Sequence, residues 1–198
     1  MTAQPDPRPL LTRALDQIGA LVAGTETAAL ERPTPCDDWD VRTLLDHLVG
    51  VHRRIAHVGA GGHFGDIESA PAVAPGTHVA EIAAARADID SVWLHDGAVL
   101  DRVLTVPWGT MPGRFVGFGY VQELTVHAWD LGAATGHTAG LDDELALAVE
   151  DTAHRVLPAE PRGGPIPFGP PVAVADDAPP YERLVGWLGR DPRGALVR

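Results

Sequence analysis

Apolar residues recur at helical spacing in several stretches of the chain. Leu11, Leu15, Ile18 and Val22 are four, three and four residues apart, which puts them on one face and predicts a helix over 9–30. The segment Arg32-Pro-Thr-Pro35 breaks it. The carboxylates of Asp37, Asp38 and Asp40 then offer caps for a second helix, in which Val41, Leu44, Leu45, Leu48, Val51 and Ile55 recur at threes and fours. A glycine- and proline-rich stretch over 59–76 has no period and reads as a connection. A third helix carries Val79, Ile82, Ala83, Arg86, Ile89, Val92 and Trp93. Its register weakens at Asp96-Gly97, ahead of a short helical continuation through Leu100 and Val103. The run 104–113, with β-branched residues before a Pro-Trp-Gly turn, predicts a small irregular hairpin.

A fourth helix is predicted over 114–135, with Gly136 as its C-cap. It is apolar around much of its girth, as expected of a helix inside a bundle, so its charged members Glu123 and Asp130 require a reason. A fifth helix over 142–156 opens on acids suited to a helix N-terminus. Residues 158–180 are too proline-dense for helix or central strand and are expected to wrap the surface, before a short helix over 181–188. No fixed repeat and no shift of composition marks a second domain. The reading is one all-α domain over 1–198, an antiparallel four-helix bundle with a small hairpin and a proline-rich tail ending in a short helix.

Composition narrows the partners. The 198 residues are 45% hydrophobic and 21% charged, an ordinary globular balance, and the net charge of −12 argues against nucleic acid or an anionic membrane as partner. Every basic residue is arginine; with the abundant alanine, glycine and proline this points to a GC-rich bacterial host. The single cysteine, Cys36, rules out an internal disulfide and any multi-cysteine metal site. The first residues lack a basic start followed by an apolar run, and no stretch of about 18 apolar residues occurs, so the expected address is cytoplasmic.

Glu123 and His127 are four residues apart on the fourth helix, pointing the same way one turn apart, and can grip one ion. A third donor must come from another helix. His47 lies three after Leu44 and four before Val51, beside the buried stripe of the second helix, and can face the fourth. Two imidazoles and a carboxylate suit zinc, and also iron or nickel, and leave open coordination positions of the catalytic kind. An isolated helical histidine is ordinarily a core or surface residue, and Glu-x-x-x-His is ordinarily a solvated pair, so spacing alone leaves both readings open.

The segment Thr34-Pro-Cys-Asp-Asp-Trp-Asp-Val-Arg-Thr-Leu-Leu-Asp-His47-Leu-Val-Gly, with Gln122-Glu-Leu-Thr-Val-His127-Ala-Trp-Asp-Leu, resembles the mycothiol-dependent maleylpyruvate isomerase N-terminal family, within the DinB-like and YfiT-like metal-binding bundles. The late runs Arg162-Gly-Gly-Pro-Ile-Pro-Phe-Gly-Pro-Pro and Leu188-Gly-Arg-Asp-Pro192 resemble an actinobacterial branch, so the likeness covers nearly the whole chain. The resemblance puts the family's metal-binding histidines on His47 and His127 and its carboxylate on Glu123. It implies a bound divalent metal that activates mycothiol or a similar small thiol for attack on a small electrophile, and a homodimer. The family's isomerase carries a further C-terminal domain at its substrate site, where this chain has a short tail and helix. The expected activity is therefore a thiol-dependent transferase or isomerase reaction rather than maleylpyruvate isomerisation itself, with a non-catalytic metal-binding module, structural or sensory, as the alternative. A metal-free domain acting through protein contacts is the third reading.

Other residues are read more plainly. Cys36 is expected to be a small buried side chain more than a thiolate at a helix N-terminus. His52 and His57 rotate away from the face of His47 and are expected to face solvent or back the ligands. Asp130, three after His127, can orient that imidazole or meet a neighbouring helix. Trp39 and Trp129 read as packing, and Arg42, Arg114 and Arg162 as surface charges able to meet a carboxylate. The Gly59-Ala-Gly61 start lacks its third glycine and a preceding strand, and no Walker loop, Gly-x-Ser-x-Gly elbow or His-Glu-x-x-His occurs.

Overall fold

A computed structural model describes residues 6–36, 38–163 and 168–194. Asp37, one of the expected caps, and 164–167 of the proline-rich run lie outside the described residues. Helices α1 (Arg8–Gly24), α2 (Val41–Gly59), α3 (His78–Ile89) and α4 (Gly113–Thr135) form the bundle; α5 (Asp143–Val156) and α6 (Pro180–Trp187) pack at its side. Strands β1 (Val103–Val106) and β2 (Gly109–Pro112) make the antiparallel hairpin, with Val103 opposite Pro112 and Val106 opposite Gly109. No described helix is long and apolar enough to cross a membrane.

The apolar stripes read for α1 and α2 are buried, while in α3 only Ile82 and Ile89 of the expected stripe are buried and Val79 is half exposed. Leu11, Ile18, Leu44, Leu48, Ile55, Ile82, Ile89, Leu124 and Leu131 join one core. Helix α4 is buried on most of its circumference, and Gly136 ends it in the left-handed conformation at φ 85°. Asp40 caps α2 by accepting from the Thr43 N–H at 2.8 Å, and Asp142 caps α5.

Three boundaries differ from expectation. Helix α1 stops at Gly24 rather than at 30, because Thr25 turns extended and spends its hydroxyl on the Leu21 carbonyl; a separate short turn covers Thr27–Ala29. Helix α3 ends at Ile89 and widens into a π-turn over Asp90–Leu94, which swings Trp93 into the core to donate to the Ile55 carbonyl. The expected helical continuation through Leu100 and Val103 is absent. Asp96 instead caps a turn on Ala98 N–H and holds Arg102, and Val103 opens β1.

The order of the helices positions the site. Pro7 lies against Gly117 and Gly136 lies near Leu21, so α1 and α4 run parallel. His78 meets Asp46 and Trp93 meets Ile55, so α2 and α3 also run parallel. His47 faces Glu123 while Gly59 and Gly117 both meet Trp93, so α2 and α4 are antiparallel. A parallel α2–α3 pair requires the connecting chain to return along α2. It does so past His57, Arg54, Gly50 and His47, through contacts from Asp66, Ile67 and Ser69.

Candidate metal centre

His47 and the Glu123–His127 pair meet in the seam between α2 and α4. The nearest donor atoms of the three lie within 4.8 Å of one another: His47 Nε2 is 3.3 Å and His127 Nε2 3.6 Å from the same oxygen, Glu123 Oε1. The two rings stand edge to face with centroids 4.8 Å apart. Their side chains are 9% and 11% exposed, while that of Glu123 is 34% exposed, so the cluster is walled on the imidazole side and open on the carboxylate side.

Each imidazole is fixed from behind. His47 Nδ1–H donates to the Ser69 carbonyl at 2.9 Å, and since a carbonyl only accepts, this fixes the proton on Nδ1 and frees the Nε2 lone pair. The returning connection supplies that carbonyl because Gly50 has no side chain: a Cβ there would stand 2.5 Å from Ser69 O. His127 Nδ1–H donates at 2.9 Å to Asp130 Oδ2, one turn on. Asp130 is fully buried and is held from its other side by Arg190, just after α6, through bonds of 2.6 and 2.9 Å. Carboxylate, imidazole and donor nitrogen thus form the chain that orients histidines at metal sites.

Charges follow from these contacts. Burial opposes ionisation of Glu123, but His127 and His47 outweigh it and hold the carboxyl far below its usual range. Burial likewise disfavours a charged His127, yet Asp130, Cys36 and Glu123 together raise its pKa well above the ordinary value. Asp130 stays ionised against burial chiefly through the Arg190 charge, and Arg190 is in turn held more firmly protonated.

Several expectations are corrected here. Cys36 is half-buried rather than a buried core residue, and it lies beside the cluster. Its Sγ is 3.2 Å from Asp130 Oδ2 and 3.8 Å from His127 Nδ1, presented by a tight loop in which Thr34 N–H and hydroxyl both bond the Trp39 carbonyl. Cys36, His127 and Asp130 are a second trio of close donors, but the Arg190 guanidinium already occupies Asp130 and opposes a cation there. Trp39 is a wall of the site, its ring 4.9 Å from His47 and stacked 6.2 Å from His127, whereas Trp129 is buried packing. His52 neither faces solvent nor backs the ligands: it is fully buried, donating to the Leu48 carbonyl. His57 pairs with Asp66 at the molecule's edge. Arg114 is engaged by Asp101 and Arg162 by the Pro158 carbonyl, both away from the cluster. Arg190 and Ser69 are the site residues that sequence reasoning missed, and Trp39 is the one it read only as packing. The buried charge of Asp130 was the signal for a hidden cation. Two surface cavities of about 470 and 570 Å³ flank the 136–142 turn, and neither includes His47, Glu123 or His127.

The donor set fits a divalent ion. Two imidazoles with Nδ1–H spent outward present both Nε2 atoms to one carboxylate oxygen, and the exposed side leaves room for further coordination.

Comparison with known proteins agrees with this architecture. Uncharacterized proteins from two strains of Mycobacterium tuberculosis are 33% identical over 189 residues, covering 95% of this chain and 100% of theirs. Crystal structures of the mycothiol-dependent maleylpyruvate isomerase and of a histidine-to-alanine mutant of it share the fold. Each has a TM-score of 0.54 at 16% identity, covering 76% of this chain and 70% of the other. The family model of the mycothiol maleylpyruvate isomerase N-terminal domain matches residues 11–132, a stretch that contains all three converging donors and all of the bundle except the first residues of α1 and the last of α4, and the chain belongs to that family.

Proposed function

We propose that this chain is a thiol-dependent transferase or isomerase whose His47, Glu123 and His127 hold a divalent metal, zinc in preference to nickel or iron. The carrying observation is the convergence of two tautomer-fixed Nε2 atoms on Glu123 Oε1 at an open face. The family's mycothiol-dependent isomerase supports a small thiol of the mycothiol type as cosubstrate and a small electrophile as its target. A metal held by these donors supplies a positive centre that lowers the pKa of a coordinated thiol, so that its nucleophilic thiolate exists near neutral pH. The protein's own part is orientation. Ser69 and Asp130 keep both imidazoles aimed, Arg190 keeps Asp130 ionised, and the Trp39 ring shields one side from water.

A second reading, a metal staple without turnover, is favoured by one observation: the cluster ties α2 and α4 together and, through Asp130–Arg190, ties both to the segment after α6. Elemental analysis of wild type beside Glu123→Ala, followed by mycothiol titration of cobalt-substituted wild type, separates the readings. Catalysis predicts near-stoichiometric metal that the variant loses, and a cobalt spectrum that the thiol changes. Metal with no thiol response, together with a Tm that falls steeply on chelation, would establish the staple. No metal after reconstitution would refute both.

A further inference from the structure

Apart from the metal donors, the cavity of about 470 Å³ beside the 136–142 turn is walled by Trp129 of α4, Asp143 of α5, Tyr181 and Glu182 of α6, and Pro192-Arg193 beyond it. Trp129 and Tyr181 are 4% and 5% exposed, so both rings are fixed in place. Burial chiefly, against a hydrogen bond from Gln17, and then the Asp142 and Asp143 charges raise the Tyr181 pKa to about 12, so the Asp143 charge is felt at that wall.

A place in the first turn of α5 or α6 accounts for each acid singly. It does not account for how their neighbours are matched. Arg13 takes Asp142 at 2.6 Å and Glu144 at 2.7 Å, the residues on either side of Asp143, and Arg183, next to Glu182, takes Glu150 at 2.8 Å. Asp143 and Glu182 are left without an ion-pair partner among the described residues, in a chain that has no lysine. The one cation in the lining, Arg193, reaches the Ala173 carbonyl instead, at 3.4 Å. Two carboxylates and two aromatic rings around one cavity are surroundings that hold an organic ammonium.

The cavity also lies behind the support of the metal centre. Trp129 precedes Asp130 and Pro192 follows Arg190 by two residues, so the two stretches of chain joined by the buried Asp130–Arg190 pair are the ones that the cavity parts. A molecule bridging Trp129 to Pro192-Arg193 holds those stretches together and keeps the guanidinium on Asp130, the carboxylate that orients His127.

We propose that this cavity binds a small organic ammonium, its charge on Asp143 and Glu182 and its apolar part against Trp129 and Tyr181, and that its occupation strengthens metal binding through Arg190 and Asp130. The site itself stands on the cavity alone, while its effect on the metal rests on the reading of His47, Glu123 and His127 as ligands. Coupling between two binding sites is reciprocal, so the metal tightens the ammonium by the same factor.

The test is calorimetric titration of metal-free and zinc-loaded wild type with phenethylamine and with its uncharged counterpart, 2-phenylethanol. The amine is expected to bind and the alcohol not. Asp143→Asn and Glu182→Gln should each weaken the amine several-fold and Arg193→Gln should tighten it, while Asp151→Asn, an exposed acid of α5 outside the cavity, should leave it unchanged. Zinc-loaded protein should bind the amine at least about fivefold more tightly than metal-free protein, and Asp130→Asn/Arg190→Met should remove that difference. If the double variant does not fold by circular dichroism, the reciprocal measurement decides: zinc affinity of wild type by dye competition should rise with saturating phenethylamine and not with 2-phenylethanol. Equal binding of the alcohol, no binding of the amine, or an affinity that Asp143→Asn and Glu182→Gln leave untouched would overturn the site, and weaker binding by Arg193→Gln would overturn its choice of a cation. Amine binding of equal strength with and without bound zinc would overturn the link to the metal. Charge-dependent amine binding in a protein that never takes up zinc would uphold the site and refute the metal reading.

Discussion

Asp130 is fully buried, and its charge is sustained by two partners, the Arg190 guanidinium and the His127 ring. Removing one member of such a group leaves the other charge stranded, which typically costs about 3–5 kcal/mol, whereas replacing both is far less damaging. Arg190→Met is therefore expected to lower unfolding free energy by about that amount, and Asp130→Asn/Arg190→Met by much less than the sum of the single changes. A second readout follows from the other face of Asp130. Asp130→Asn weakens the acceptor that fixes His127, so zinc affinity measured by competition with a chelating dye should fall about 10–100-fold even where the variant is fully folded. Additive single effects in denaturation, or unchanged zinc affinity, would show that Asp130 acts only as a packed core residue.

At the scale of elements, the decisive feature is the return of 60–77 along α2. Gly50 lets the backbone pass, since a Cβ would stand 2.5 Å from Ser69 O and 2.7 Å from Glu68 O, both backbone atoms that cannot rotate aside. Gly50→Ala improves helix propensity by about 1 kcal/mol yet displaces the strap, so a net loss of stability is expected, with weakened zinc binding because Ser69 leaves His47. A variant more stable than wild type with full zinc affinity would mean that the strap is not held there. The contrast also explains what the chain disclosed in advance. Leu44, Leu48, Val51 and Ile55 announce α2 by their period, and Glu123 and His127 share a face by spacing alone. The end of α1 at Gly24 was hidden, because Ala28–Leu30 prolong an apolar pattern that only Thr25's backbone interrupts. The π-turn that buries Trp93 leaves the helical period almost intact. Ser69, Cys36, Trp39 and Arg190 reach the centre from loops, where no period relates position to direction, and the carbonyl that Ser69 contributes is available from any residue type.

For the whole molecule, acid sets two effects against each other. At pH 7 the net charge of −12 makes the surface repel itself, and a falling pH relieves this in increments of a few tenths of a kcal/mol per exposed pair. Against it stands His52, fully buried in the core face of α2. Burial pushes its pKa down from 6.5 to about 4, opposed by its bond to the Leu48 carbonyl and assisted by the nearby Arg86 charge. Between those values the unfolded chain takes up a proton that the folded one refuses. The stability owed to neutral His52 is complete above 6.5, shrinks as pH falls, and is gone below about 4. From pH 7 to pH 5, where carboxylates in both states are largely ionised, this amounts to about 2 kcal/mol, more than the surface relief supplies. His127 works in the other direction: its raised pKa favours the folded metal-free protein most below 6.5 and less as pH rises through the folded value. The comparison that isolates His52 is urea denaturation of metal-free wild type and His52→Leu at pH 7 and pH 5, because His127 contributes equally to both proteins. Wild type is expected to lose about 2 kcal/mol more than the variant over that interval, whatever the variant's stability at pH 7. Parallel losses would mean that α2 opens enough to let His52 take its proton without unfolding, and the core around it would then be looser than its burial implies.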